Sequence, residues 1–500
     1  MSAPTVTGKG PGDAGLCLRR WVHILLALAI LGGLLLVPLP AVRGPGGELI
    51  TLPSKGRASL AVVALCLTLW ISEALPFAVT GLAAFLLFPA FGVASPAEVV
   101  GSGLGHPLML FFLGLFLLSI AFVKVGLGRR IGHWMLALSR GRASRLILIT
   151  LGTGAILAMG ITSLAAASVM LGIAQEILEQ SGLNSRRSNF GRSLLLATCW
   201  GPMIGSLGTP AGAGSNPLAM GYLRELAGVE VTFLDWMALG VPSALLMVIA
   251  AWLILRWAFP SQQDTLLSPA QLRKAEAEGH TSMTRREWIF LTIFGATLAV
   301  WIAAPAIEWL TGGRITLSMQ SVGLAAALIL FLPGLDLLSW PGAERGVHWG
   351  TLWVLAGGLA AGLMLYRSGA ARWLAWMLLE PLGSVAPLPR VFATIGAVLV
   401  LRMLFSSSTA AAAILMPLII VLAQDLGLDP WLCTAPAAFA VNLAFIFPAQ
   451  AAAHLVSYSA GQFSTQDMAR GGIPLTLVAA WVVGGVVLIV GAATGLYRLG

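Results

Sequence analysis

The chain has 500 residues, of which 58% are hydrophobic and only 10% charged, with a formal net charge of +9. A soluble domain carries about a quarter charged residues, so this composition excludes an ordinary globular protein and points to a polytopic membrane protein. The basic balance reads as cytoplasmic loops, with no nucleic-acid partner, and Cys17, Cys66, Cys199 and Cys433 lie too far apart for metal-ligand or redox spacing.

A helix crosses the ~30 Å hydrocarbon core in about 20 residues. Residues 1–20 are polar and Gly-rich and end in Arg19-Arg20 before the apolar run 21–39. With no clear small-residue cleavage site, this reads as a first span with a cytoplasmic N-terminus. Apolar runs at 59–76, 78–93 and 107–124 give three more spans. The loop 125–145 then falls inside, in keeping with Arg129, Arg130, Arg140, Arg142 and Arg145 and no acid.

The next apolar stretch, 146–178, is too long for one crossing at 1.5 Å per residue and too short for two. Arg186, Arg187 and Arg192 follow it, so both flanks want the cytoplasmic side. A re-entrant hairpin turning near Thr162-Ser163-Leu164 satisfies this; one long tilted helix with a polar kink is the competing reading. Residues 194–222 span outward but are broken by "GPMIGSLGTPAGAGSNP" (201–217), whose glycines and prolines predict two half-helices and an unwound joint. A return span at 236–256 and a mixed-charge linker at 257–286 follow. Spans at 287–307, 316–332 and 349–366, a second hairpin at 391–423, a stretch at 430–462 interrupted around 448–454, and a last span at 471–497 complete the chain, leaving the C-terminus outside.

The order of features repeats at an offset near 240 residues. Lys124-Val125-Gly126 parallels Arg367-Ser368-Gly369, "TSLAAASVMLG" (162–172) parallels "SSTAAAAILMP" (407–417), and Asp235 and Asp467 each precede a proline by seven residues. By parity the two hairpins enter from opposite faces. The expected fold is therefore all-α, with about 11 transmembrane helices in two inverted repeats, 59–256 and 287–500, after a leading segment 1–58. Such repeats with broken helices characterise secondary transporters that bind solute at the midplane. Hairpin tips present free N–H groups that suit anions, together with carbonyls and hydroxyls that suit a hard cation. The competing reading is that these hydroxyls bond only their own helix backbone.

"WISEALPFAVTGLAAFLLFP" (70–89), "LGLFLLSIAFVKVGLGRRI" (113–131), "LWVLAGGLAAGLMLYRSGAARWL" (352–374) and "GSLGTPAGAGSNP" (205–217) resemble segments of the divalent anion/sodium symporters, the dicarboxylate, citrate and sulfate carriers of the solute carrier 13 type. The resemblance runs from about 59 to 497 and implies a homodimer in a lipid bilayer. The bacterial inner membrane is the expected location. It also implies a Ser-Asn-Thr triplet at each tip that binds sodium and substrate carboxylates. Here the triplets read Thr162-Ser163-Leu164 and Ser407-Ser408-Thr409, so both asparagines are replaced. The joints read Ala213-Gly214-Ser215-Asn216 and Ala451-Ala452-Ala453-His454, keeping one asparagine of the family's Thr-Pro-Pro-Asn type pattern.

On that mapping the substrate site comprises Thr162, Ser163, Gly214, Ser215, Asn216, Ser407, Ser408, Thr409, Arg402 and His454, and sodium falls to Thr162, Ser163, Gly212, Ser407 and Ser408. Arg402, with His454, is read as supplying positive charge that sodium supplies elsewhere in the family; the alternatives are a snorkelling arginine and a satisfied interior histidine. Glu73 reads as a structural hydrogen-bond partner. Lys124, Arg367, His106 and His348 read as interfacial, as do tryptophans such as Trp134, Trp200, Trp349 and Trp431.

The sequence shows neither a His-Glu-x-x-His pattern nor a phosphate-binding Gly-x-x-x-x-Gly-Lys-Ser/Thr loop, which argues against an intramembrane metalloenzyme and a primary pump. The broken repeat argues against a channel. The expectation is a non-enzymatic secondary carrier of a small divalent anion, a dicarboxylate by family default. It would work by alternating access, with sodium as coupling ion and no other cofactor. A sodium-independent exchanger, or a permease for sulfate or another oxyanion, is the alternative.

Overall fold

The computed structural model describes residues 11–181, 188–261, 282–383 and 385–497. Arg186, Arg187 and most of the expected linker 257–286 lie outside the described residues. The described residues are nearly all helical, and nine of their helices are long and apolar enough to cross a membrane; two shorter apolar helices add to them. Large apolar side chains such as Leu245, Leu253, Leu477, Trp481 and Ile489 point outward from these helices. In water that would be costly, and against lipid it is not. The protein is an integral membrane protein.

The chain forms two compact units. The first contains Met1–His106 and Trp349–Leu378. Helix α1 (Pro11–Leu36) gives way at Pro38 and Pro40 to a two-residue antiparallel pair, β1 (Val42–Arg43) and β2 (Leu49–Ile50). This pair is the one departure from the expected all-α fold among the described residues, and the two prolines explain why the helix cannot continue. Then come α2 (Ser54–Ser72), α3 (Phe77–Ala90) and α4 (Pro96–Ser102). Glu73 closes α2 in the left-handed region, at φ 51°. The second unit contains Pro107–His348 and Leu379–Gly500. It begins with α5 (Leu108–Val125) and α6 (Leu127–Ser139).

Helix α6 corrects the expected loop at 125–145. The arginines drew attention to polarity, but Gly132, Met135, Leu136 and Ser139 share a buried face at i, i+3, i+4 and i+7 spacing, and that makes an amphipathic helix. Arg130 on its polar face donates Nε to Glu287 Oε1 at 3.3 Å and Nη2 to Oε2 at 3.2 Å.

The succession continues with α7 (Ala143–Gly160), α8 (Ser163–Gln180), α9 (Asn189–Gly205), α10 (Ser215–Ala227) and α11 (Phe233–Ala258). After the undescribed stretch come α12 (Arg285–Leu310), α13 (Met319–Ile329), α14 (Trp340–Gly346), α15 (Trp349–Arg367) and α16 (Ala370–Gly383). The chain ends with α17 (Pro387–Arg402), α18 (Ser408–Asp425), α19 (Pro430–Ala440), α20 (Ala452–Ser459) and α21 (Thr465–Thr494). Among the described residues, ten helices run from α2 to the undescribed stretch and ten follow it.

Matching elements share their local chemistry. Gly126 (φ 86°) and Gly369 (φ 78°) make the left-handed turns after α5 and α15. Asp235 and Asp467 close capping boxes with Thr232 and Ser464, so their parallel spacing is a helix-start signal and not a ligand site. In the first unit α3 packs on α15, where a Cβ on Gly357 would come within 2.5 Å of Gly81 Cα. In the second, α5 packs on α13, where a Cβ on Gly114 would come within 2.7 Å of the Gly323 carbonyl oxygen. Helix axes can approach this closely only without side chains.

Two of the tryptophans read as interfacial belong to the core instead: Trp200 packs edge-on to Phe445, and Trp431 lies against Trp236. Trp134 and Trp349 are exposed. His348 packs edge-on to Phe116 at 5.8 Å between ring centroids.

Candidate functional site: two helix breaks joined through two unwound joints

Helix α7 stops at Gly160 because Ile161 and Thr162 are extended, and Thr162 then caps α8, its Oγ1 accepting from Ala165 N at 3.4 Å. The chain thus breaks at the expected tip. Helices α7 and α8 pack on each other and both pack on α9. In the second half α17 stops at Arg402, residues 403–407 are irregular, and Ser407 caps α18 by accepting from Ala410 N at 3.3 Å.

The unwound joints lie between α9 and α10 (206–214) and between α19 and α20 (441–451). The second begins earlier than the interruption expected around 448–454. Only Ala451 of the expected quartet is outside a helix; Ala452, Ala453 and His454 form the first turn of α20. Glycines and prolines marked the first joint. The second starts at Val441-Asn442, in a run whose apolar neighbours gave no sign of a break.

Each tip touches its own joint. Ser163 N donates to the Gly212 carbonyl at 3.3 Å, and Thr209 Oγ1 donates to Met159 O at 2.5 Å. A Cβ on Gly212 would collide with Ser206 at 2.6 Å, so only glycine permits this seat. At the second tip the Arg402 guanidinium reaches across to its joint. Nε donates to Val441 O at 2.8 Å and Nη2 donates to Gln450 O. Within the tip, Nη1 donates to Phe405 O and Nη2 to Ser408 Oγ at 3.3 Å. Arg402 is 1% exposed, which rules out the snorkelling alternative.

The joints in turn hold each other. Asn442 Nδ2 donates to Asn216 Oδ1 at 2.9 Å, and Ser215 Oγ donates to Asn442 Oδ1 at 2.9 Å. Asn216 Nδ2 donates to the Ser206 and Thr209 carbonyls at 2.7 and 2.8 Å. Ser215 and Asn216 are fully buried and engaged in this network. A hydrogen-bonded path therefore runs from the first tip through both joints to the second. Asn442, Gln450, Thr209 and Ser206, all part of that path, were not picked out from the sequence; a lone amide in an apolar run was the one available signal.

What stays partly open is the remainder of the expected set. Thr162, Ser163 and Gly214 are half-buried in the first half, as are Ser407 and Ser408 in the second; Thr409 is buried. His454 is fully buried, with neither ring nitrogen in good hydrogen-bond geometry to a partner among the described residues. A cavity of about 840 Å³ extends along α8 from Thr162 past Ser168 and Val169 to Glu176, with Lys124 and His348 on its wall. Carbonyls and hydroxyls at a half-open tip can ligate a hard monovalent cation, and N–H groups at the start of α8 and α18 can receive an anion.

The profile of the sodium:sulfate symporter transmembrane region matches residues 18–494. The chain belongs to the sodium:sulfate symporter family. It is 29% identical over 451 residues to the sodium-dependent dicarboxylate transporter SdcS of Staphylococcus aureus strain USA300, covering 86% of this chain and 85% of that protein. SdcS of strain NCTC 8325 matches to the same extent. Among solved structures, the YdaH transporter of Alcanivorax borkumensis, described as having an unusual topology, superposes with a TM-score of 0.55. The overlap covers 96% of this chain and 98% of that one at 14% identity, which establishes likeness of fold alone. Membership in this family agrees with the resemblance drawn from the sequence motifs.

Proposed function

We propose that this protein is a secondary active transporter that carries a small divalent anion, of the dicarboxylate class, by sodium-coupled symport and alternating access. The observation that carries this reading is the hydrogen-bonded path from tip to joint to joint to tip. It gathers two helix N-termini and their hydroxyls around one region, as a dianion with two separated carboxylates requires. The names of the relatives and of the family supply the solute class and the ion.

In this reading the two ten-helix successions are inverted repeats, and the tips meet the solute from opposite faces. Thr162, Ser163 and Gly214, with Ser407, Ser408 and Thr409, line the solute site, and His454 borders it. Sodium sits at Thr162, Ser163 and the Gly212 carbonyl. Ser215 and Asn216 hold the joints in register and do not touch the solute, since their polar atoms are engaged. The protein works as a homodimer in the bacterial inner membrane with its N-terminus cytoplasmic.

The test is uptake of a radiolabelled C4-dicarboxylate into proteoliposomes under an inward sodium gradient, with choline replacing sodium as control and unlabelled sulfate as competitor. Accumulation above equilibrium that collapses in choline supports the reading. Sodium-independent counterflow, or exclusive inhibition by sulfate, would replace it with an exchanger or an oxyanion permease.

A further inference from the structure

A buried arginine is ordinarily matched by a carboxylate. Among the described residues Arg402 has none within ion-pair distance. Its charge is instead surrounded by oxygen dipoles: the carbonyls of Phe405, Val441 and Gln450 and the hydroxyl of Ser408. Three carbonyls and a hydroxyl, converging where a helix tip meets an unwound joint, form the sphere that replaces the hydration shell of a hard monovalent cation.

The first half has the same parts, namely a capped tip, an unwound joint and the Gly212 carbonyl turned to Ser163. It has no charged side chain in either the tip 157–164 or the joint 206–214. The two halves thus differ in one respect that bears on ion binding: the second already contains a cation, and that cation is covalently attached.

We propose that the Arg402 guanidinium is a tethered cation that fills the oxygen cage of the second half, so that only the first half takes an exchangeable sodium. This rests on the sodium-coupled reading and deepens it. Of the five N–H groups of a guanidinium, one on Nε, one on Nη1 and two on Nη2 are directed at these oxygens. Arg402 is therefore placed to organise the tip, and its charge stays beside the solute throughout the cycle, whereas a bound ion would leave with the solute.

The experiment uses the purified full chain in detergent. Thermal stability is followed while sodium chloride replaces choline chloride at constant ionic strength. A ligand that binds only the folded state raises stability with the logarithm of its concentration, and each site adds its own slope. In the wild type the slope is that of one site. In Arg402→Ala the vacated oxygens accept sodium, so the slope becomes about twice as steep, and millimolar methylguanidinium restores the wild-type slope. Arg402→Lys keeps a fixed charge and gains no slope.

Equal slopes in wild type and Arg402→Ala would overturn the proposal, as would the absence of any effect of methylguanidinium. Should Arg402→Ala not fold, counting bound radioactive sodium on the wild type decides it: one ion per chain is expected, and none or two refute it. None of these measurements requires transport, so failure of dicarboxylate uptake would strike the proposed function and leave this result separately readable.

Discussion

Asn442 donates its side-chain Nδ2 to Asn216 Oδ1 at 2.9 Å, across 226 positions of sequence, and Asn442 Oδ1 accepts from Ser215 Oγ. Through this pair the two unwound joints are tied together by buried hydrogen bonds. Asn442→Leu would leave the buried Asn216 oxygen and Ser215 hydroxyl with only the long 3.4 Å contact between them. The expected cost is about 2–3 kcal/mol, from stranded polar groups in a dry interior. Thermal unfolding in detergent measures it. Combined with Ser215→Ala, the loss should be clearly less than the sum of the singles, because both changes remove one network; strict additivity would show that the groups act independently.

The glycine contacts predict opposite outcomes for two similar changes. Gly357→Val drives a side chain into the Gly81 backbone and should destabilise by at least the ~1–3 kcal/mol typical of overpacking. Gly295→Ala, in α12, meets nothing within 4 Å and removes a flexible residue from a helix interior. It should stabilise by about 0.5–1 kcal/mol. A thermal-shift comparison checks both, and a tolerated Gly357→Val would mean that α3 and α15 are not so close.

The cavity along α8 predicts a route for solute. Val169→Trp places an indole on its wall and should lower the uptake rate about tenfold or more without lowering thermal stability, since the residue borders space. Ser168→Cys, made in a Cys17→Ser background because Cys17 is the exposed cysteine, should react with a water-soluble maleimide. Substrate should slow that labelling. Unchanged uptake in Val169→Trp would show that solute takes another path.

The acid limb of stability is expected to show at α4. The backbone N–H and hydroxyl of Ser95 hold the Glu98 carboxyl below the usual carboxylate range. A lowered folded value means that the capping box contributes above the unfolded value and is lost as pH falls through the folded one. The protection factors of the α4 amides, taken against the pH-dependent intrinsic exchange rate, should therefore fall in that acidic window in the wild type. In Glu98→Gln protection should be lower at neutral pH and flat with pH; a flat wild-type protection profile would remove the box from the account.

Much of the architecture was legible in sequence because lipid imposes a simple rule. Apolar length reports crossings, and small polar residues inside an apolar run report a break. Thr162 and Ser407, both caps, were found that way, as was the glycine-rich first joint. The second joint was misplaced because Asn442 sits among apolar residues that look helical, and α6 was missed because its arginines masked a buried stripe.

The sequence by itself determined the membrane class, the family motifs, the doubled order of elements and the two tips, since each rests on local hydropathy or local capping. Only the tertiary structure decided the partners of Arg402, Asn216, Asn442 and Trp200. Burial and hydrogen bonding between segments tens to hundreds of positions apart depend on which backbones come together, and nothing local records that. The sequence could therefore present Arg402 as an anomaly, while the fold surrounds it with carbonyl oxygens and gives its charge a place to stay.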